Sequence, residues 1–295
     1  MISHPERVLY PAIGLSRAEL MLYYYHVAGP LLGHLQDRAL TIRRWPHGIL
    51  APGFYQRYRY QSRHERYPIV VDSLSELLRW VGLGAIEFHS PLGRVGDGGL
   101  HDWAVIDLDP NPPADWAAVV RVARVTLDLL DRFEIPVSLK TSGARGLHLL
   151  VPIEPTEPHR AQDAIERVAR VVSLALTEDA TVARRVAHRG ARVYIDYLQN
   201  GPRRTMAAVY SARAGPDARV SWPVGREDLD RGPEAFTVRS TLHRSVPFWP
   251  RVRPVPMEAL LDRGGLPTVE ELRRLQGPVA EDRGMAAGIE AGRCV

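Results

Sequence analysis

The sequence predicts an α+β fold: a mixed or mostly antiparallel central sheet flanked by helices. Three observations carry that expectation. Two long segments, about 115–133 and 159–176, place apolar residues at helical spacing. Two apolar runs, VSLK (137–140) and LHLLVPI (147–153), are joined by the tight polar turn SGARG and read as an antiparallel hairpin. Further strand-like runs are linked by crossovers as well as by short turns, so the sheet is not purely parallel.

Each element has its own local reason. Ser16 and Glu19 form an S-x-x-E capping box that opens a helix to about Leu35. Ser73 and Glu76 repeat the box and open a helix to about Val81. AIEFH (85–89) reads as a strand, followed by the glycine-rich loop GRVGDGG (93–99). WAVIDLD (103–109) is a strand stopped by Pro110, and Pro112 and Pro113 precede the helix from about Asp115 to Phe133. The hairpin follows, then a helix over about His159–Leu176. RVYIDYL (192–198) and TMAAVYS (205–211) read as strands. Beyond Pro254 two short helices are expected, near 257–263 and 268–275, with a Gly/Ala/Arg-rich end from Gly277 that should fray. The chain thus divides into an N-terminal α/β lobe of about 1–82, a core of about 83–255 and a helical tail, 256–295.

Composition narrows the function classes. No run approaches 18 apolar residues, so no membrane span is expected. The start, MISHPERVLYP, has no apolar h-region, and the expected compartment is the cytoplasm. The lone cysteine, Cys294, excludes a disulfide framework and a Cys-rich zinc site. All 38 basic residues but Lys140 are arginine, yet the net charge is only +4, so local clusters matter more than the total. They are IRRWPHG (42–48), FYQRYRYQSRHERY (54–67) and RRVAHRGARVY (184–194). Arginine presents a planar fork to phosphate oxygens, and the middle cluster interleaves it with aromatics as single-stranded nucleic acid requires. An edge strand with a basic outer face would carry the same pattern.

Three groups of residues point to chemistry. Asp107 and Asp109 lie two apart in a strand, so both project from one face, inside an otherwise apolar run. Carboxylates so placed can converge on metal ions, with magnesium or manganese suiting an all-oxygen set. Turn-forming aspartates at a strand end look the same, and D-x-D also occurs in glycosyltransferases. Asp196 sits mid-strand, where an unpaired buried carboxylate costs several kcal/mol. Its partner is either an arginine, Arg189 or Arg192, or a metal shared with Asp107 and Asp109. Finally, the SGARG turn offers backbone N–H groups in a tight bend that can cradle phosphate, with Ser142 and Arg145 adding donors. His148, two residues further on, reads as a phosphate donor or as a satisfied core histidine.

In their order, DLDP, SGARGLHLLVP and VYIDYLQN resemble the archaeo-eukaryotic primase superfamily, and in particular the polymerase domain of bacterial ligase D, over roughly residues 5–250. VLYPAIGLSRAEL, LGHL, RRWPHG and VYSARAGPDARVSWP fit the same domain. The resemblance implies a primase-polymerase fold in which Asp107, Asp109 and Asp196 hold two Mn²⁺ or Mg²⁺ ions. It implies that Ser142, Arg145 and His148 grip the phosphates of an incoming NTP or dNTP, and that His89 lies near its sugar. Arg43, Arg189, Arg204 and Arg213 fall at basic positions around the triphosphate, with Gln199 beside them. Phe54 and Tyr55 match an aromatic pair that stacks on a base. Arg7 and Arg17 fall where the family holds a DNA 5′-phosphate. The segments between Tyr55 and Tyr67 and between His89 and Asp107 are shorter than in that family, so the resemblance implies template-dependent extension and leaves the bridging of two ends open.

The function so implied is metal-dependent nucleotidyl transfer at DNA ends or gaps, with a preference for ribonucleotides, in double-strand-break repair by non-homologous end joining. A Ku-type end-binding protein and a separate ligase are the partners it suggests, at the nucleoid. A primase that needs no primer would use the same site, and a non-catalytic module that binds DNA ends is the reading from another class.

Overall fold

The computed structural model describes residues 4–60, 65–249 and 252–261. A short hairpin, β1 (Val8–Tyr10) with β2 (Leu15–Ser16), leads into α1 (Arg17–His26). The Ser16 hydroxyl accepts from the Glu19 N–H while the Glu19 carboxylate takes the Ser16 N–H, the reciprocal box expected there. The single helix expected to run to Leu35 is two helices, with α2 (Ala28–Leu35) starting after Val27. Pro30 explains the break: it has no N–H for the His26 carbonyl, and its ring crowds that position.

β3 (Thr41–Arg44) and β4 (Phe54–Gln56) follow, then a small hairpin of β5 (Tyr58–Tyr60) and β6 (Arg66–Pro68). α3 (Leu74–Gly82) is capped by Ser73, but only half of the expected box forms, because Arg59 takes the Glu76 carboxylate. The remaining elements are β7 (Ala85–Ser90), β8 (His101–Pro110), α4 (Trp116–Arg132), β9 (Ser138–Thr141), β10 (Leu147–Thr156), α5 (Pro158–Ala175), β11 (Ala180–Thr181), β12 (Val193–Asp196), β13 (Met206–Ala207), β14 (Pro223–Val224), α6 (Val238–Thr241) and α7 (Glu258–Leu261).

Two expected strands are cut short. β12 stops at Asp196 rather than at 198, because the Asp196 carboxylate accepts the Leu198 N–H and folds Tyr197–Asn200 into a 3-10 turn. The run 205–211 keeps ladder geometry only at Met206–Ala207, and Tyr210 adopts φ 66°, which no strand residue does. The helix expected near 257–263 is α7, whereas that near 268–275 lies outside the described residues.

Two sheets frame the molecule. The larger has the order β11-β12-β8-β10-β9-β14 and is antiparallel except for the β11–β12 pair. The smaller has the order β13-β7-β3-β4. Alternation sets what each face carries. Ala104, Ile106 and Leu108 of β8, Leu147, Leu149 and Val151 of β10, and Val193 and Ile195 of β12 pack with α4 and α5 into one core. The residues between them therefore face away from the helices. A second core joins α1, α2 and α3 to Ile42, Ile86 and Phe88, and it also takes in residues from Ala208 to Val238. Strand pairing in the larger sheet, helical packing on one of its faces and the smaller sheet beyond the other match the expected α+β class.

Candidate active site

The face of the larger sheet turned away from α4 and α5 carries a row of four ionisable residues. Cross-strand register places Lys140 opposite His148, His148 opposite Asp107, and Asp107 opposite Asp196. Lys140, 1% exposed, directs Nζ to the Ala207 carbonyl at 2.9 Å, the Ser221 hydroxyl at 2.8 Å and His148 Nδ1 at 2.6 Å. The Ser221 hydroxyl already donates to the Thr141 carbonyl, so it accepts from Lys140. With Lys140 Nζ donating to all three, His148 Nδ1 is the acceptor and the ring hydrogen is on Nε2, while burial lowers the Lys140 pKa well below the usual lysine range. That nitrogen lies 3.4 Å from Asp107 Oδ1. Burial, and then the Lys140 charge, hold the His148 pKa well below the usual histidine range. His148 is thus both a buried core histidine and the immediate neighbour of Asp107.

The three carboxylates lie close enough for their charges to repel, with cationic neighbours only partly opposing. Burial, then Asp196 and Asp109, push Asp107 up to about 8. Burial also raises Asp109, opposed by Arg145 and Arg189. Each acid is turned toward a protein partner: Asp107 to His148, Asp109 to Arg189 at 3.9 Å, and Asp196 to the Tyr194 hydroxyl, the Leu198 N–H and Gln199. Among the described residues no three His, Cys, Asp or Glu side chains close around one metal position. The donor chemistry nevertheless fits a hard divalent cation. The set is all oxygen, Asp107 and Asp196 are directly opposed, and a cation there would counter both the burial and the repulsion that raise Asp107. Closing the set needs rotation of the side chains about the backbone positions described.

The SGARG turn stands beside this row. Ser142 Oγ accepts from the N–H groups of Ala144 and Gly146, both at 3.1 Å, so the turn satisfies two of the donors expected to face phosphate. What remains outward is the exposed Arg145, whose charge reaches Asp109. Gly146 is required by space: a Cβ there would meet the Leu108 carbonyl oxygen at 2.3 Å. Gly143 is required by both backbone and space, with φ +72° and Arg213 Cγ where a Cβ would sit.

The smaller sheet supplies the facing wall. Arg43 lies opposite Glu87 on one side and Tyr55 on the other. Its guanidinium stacks 4.5 Å from the Trp45 ring and 5.0 Å from the Tyr55 ring, and its buried Nε has no hydrogen-bond partner. Tyr55 and Phe54 are exposed, the latter under Arg44. His89 Nε2 lies 2.8 Å from Glu87, and Arg213 spans the sheets, bonding Glu87 at 3.3 Å and the Ser142 carbonyl at 2.9 Å. Arg189 stacks 3.7 Å from the Tyr194 ring beside Asp109. Gln199 donates to Asp196, while Arg204 is exposed on the turn that follows. Arg7 and Arg17 form a separate pair, both donating to the Pro46 carbonyl at 3.0 and 2.8 Å. Burial, and then the adjacent Arg7 charge, lower the Arg17 pKa, with Glu6 opposing.

Two site residues escaped the sequence reading. Lys140 follows from the hairpin register, since a turn centred on Ala144 sets 140 against 148. Glu87 follows from alternation in AIEFH, which puts it on the face of His89.

The model of the LigD primase-polymerase domain matches residues 16–246. The multifunctional non-homologous end joining protein LigD of Pseudomonas aeruginosa is 30% identical over 259 residues, covering 82% of this chain and 31% of that protein. The Mycolicibacterium smegmatis protein of the same description is 30% identical over 240 residues, again with 31% of its length covered. The chain therefore spans about a third of the curated relatives it matches. Among solved structures, the polymerase domain of Mycobacterium tuberculosis ligase D in complex with DNA superposes with a TM-score of 0.73 at 29% identity, over 89% of this chain and 93% of that one. With two sheets enclosing a carboxylate row and a match over most of its length, the chain belongs to the LigD primase-polymerase domain family of polymerase-type nucleotidyltransferases.

Proposed function

We propose that this chain extends a strand at DNA ends or gaps, using ribonucleotides in preference to deoxyribonucleotides, during end-joining repair of double-strand breaks. The observation that carries this is the placement of Asp107 and Asp196 in one cross-strand row that begins beside the SGARG turn. Asp107, Asp109 and Asp196 would hold two Mn²⁺ or Mg²⁺ ions, which when bound lower the pKa of a primer 3′-OH and neutralise the triphosphate and departing pyrophosphate. The protein's own task is then orientation. Arg145 and Arg189 flank Asp109, and Arg213 is fixed between Glu87 and Ser142, so cationic groups surround the space where a triphosphate meets the carboxylates. Holding the phosphates there aligns the α-phosphorus for in-line attack. The exposed Phe54 and Tyr55 offer rings to a base, and Arg7 with Arg17 offers two guanidiniums to a downstream 5′-phosphate. Gln199 holds Asp196, and Arg204 adds exposed charge nearby.

The relative solved with DNA supports DNA as the substrate. The curated relatives' role in non-homologous end joining supports a Ku-type protein and a ligase as partners, acting in the cytoplasm at the nucleoid. No helix among the described residues is long and apolar enough to cross a membrane. A primer-extension assay with Mn²⁺ and labelled ribonucleotides tests the reading. Wild type should extend and Asp107→Ala should not, with DNA affinity nearly unchanged. Extension by the variant would refute the carboxylate assignment. Product formed without a primer would instead mark a primase.

A further inference from the structure

Glu87 is buried, yet it is a carboxylate, and so far its only part is to hold Arg213. Four groups converge on it. His89 Nε2 lies 2.8 Å from Oε2, and Arg43 lies 3.9 Å from the same oxygen. Arg213 Nε lies 3.3 Å from Oε1, which also accepts the Ala214 N–H at 2.9 Å. Three of the four belong to residues read above as nucleotide contacts, drawn from two strands and a loop more than a hundred residues away. We propose that Glu87 is a positioning residue that selects for ribose, by fixing which nitrogen of His89 carries the proton.

The chemistry follows from the contact. Glu87 is an ionised carboxylate and can only accept, so the His89 hydrogen sits on Nε2. Its acidity supports this: despite burial, His89, Arg213 and the Ala214 N–H together hold it down to about 2. With the ring hydrogen on Nε2, Nδ1 is the acceptor, and at the sugar-side position that the family resemblance implies for His89 it takes a hydrogen bond from a ribose 2′-OH. A 2′-deoxyribose has no hydrogen to give. The same carboxylate anchors Arg43 and Arg213, which contact both kinds of nucleotide alike. Loss of Glu87 should therefore act in two separable ways: a weakening common to NTP and dNTP through the arginines, and a loss of discrimination through His89.

This inference rests on the proposed function, and the experiment separates the two. Glu87→Gln keeps the shape but can turn an amide N–H toward Nε2, which drives the ring hydrogen to Nδ1. Single-nucleotide incorporation would be measured for wild type, Glu87→Gln, His89→Ala and the double variant with rATP and dATP. In Glu87→Gln the KM should rise for both nucleotides, and the NTP/dNTP ratio of kcat/KM should fall about tenfold, the worth of one hydrogen bond. The ratio in the double variant should fall no further than in His89→Ala alone. A wild type that discriminates, with an unchanged ratio in Glu87→Gln or additive losses in the double variant, overturns the inference and leaves the function standing. A wild type that incorporates nothing overturns both. Since Glu87→Gln is a buried change, the His89 ring ¹⁵N shifts of the unsubstituted protein give a second measurement. The Nε2–H tautomer is expected, and the Nδ1–H tautomer would overturn the inference without any variant.

Discussion

Replacing Gly146 by alanine presses directly on the contact between the SGARG turn and the strand that carries Asp107 and Asp109. The added Cβ would stand 2.3 Å from the Leu108 carbonyl oxygen, 3.3 Å from its carbon and 3.6 Å from Asp109 Cα. Ordinary contact begins near 3.4 Å, so the turn and β8 must separate by about 1 Å. The obstructing atom is backbone, in a strand paired on both sides, so it cannot swing aside. Overpacking of this kind costs about 1–3 kcal/mol. At roughly 2–4 °C per kcal/mol for a chain of this order, Tm should fall by about 2–12 °C. A displacement of about 1 Å at a catalytic constellation costs on the order of a hundredfold in rate. Thermal unfolding and primer extension, run side by side, check both numbers. Gly33→Ala is the control, since that helical glycine has nothing within 4 Å of a built Cβ and should leave Tm level or slightly raised. Wild-type extension by Gly146→Ala, with Tm lowered as stated, would show that the turn does not position the carboxylates.

Three further outcomes are expected. Lys140→Met removes the donor to His148 Nδ1 and frees the ring to change tautomer, so extension should fall roughly 10–100-fold, as second-sphere losses do, with far-UV circular dichroism unchanged. The raised Asp107 carboxyl favours the folded, metal-free protein below the ordinary pKa of 3.8, and that contribution is lost as pH rises through about 8. The Tm difference between Asp107→Asn and wild type should accordingly widen in favour of the variant from pH 5 to 8, and Mn²⁺ should offset the wild-type loss most at the upper end. Arg7→Ala should weaken binding to gapped DNA bearing a 5′-phosphate by about tenfold or more, the worth of a charge-assisted hydrogen bond, while a 5′-hydroxyl gap binds nearly as before in a fluorescence-anisotropy titration.

The parts of the fold that were legible were those with a local cause. The β9–β10 hairpin, β8 with its terminal proline, and α4 and α5 are written in alternation, turn residues and helical spacing. β3 was hidden because IRRW carries two arginines that look like solvated charge, while alternation buries Ile42 and leaves Arg43 for the site wall. The break at Val27 was visible in Pro30 but was outweighed by the apolar period on either side. β12 was overextended because the side chain of Asp196 competes with the ladder for the Leu198 N–H, and strand propensity does not register that competition. At the site, the aspartates and the turn could be named from the sequence, and Lys140 and Glu87 could have been found from register alone. The reach of Arg213 could not, since it bonds Glu87, 126 residues earlier, and Ser142, 71 residues earlier.

The second core has a consequence for how the protein is made. Tyr10 donates to the Arg213 carbonyl, Tyr23 donates to the Tyr210 carbonyl, and the Tyr24 hydroxyl accepts the Ala212 N–H, so the first hundred residues are sealed by a segment made far later. At roughly 5–20 residues per second, a ribosome needs on the order of ten seconds to deliver that segment after β7 has emerged. Throughout that interval Phe88, Ile86 and the α1 tyrosines lack their final covering. The nascent N-terminal half is therefore exposed to chaperones and to aggregation until that segment has been made. The part of the larger sheet from β11 to β9, whose strands all lie between His101 and Asp196, can close first.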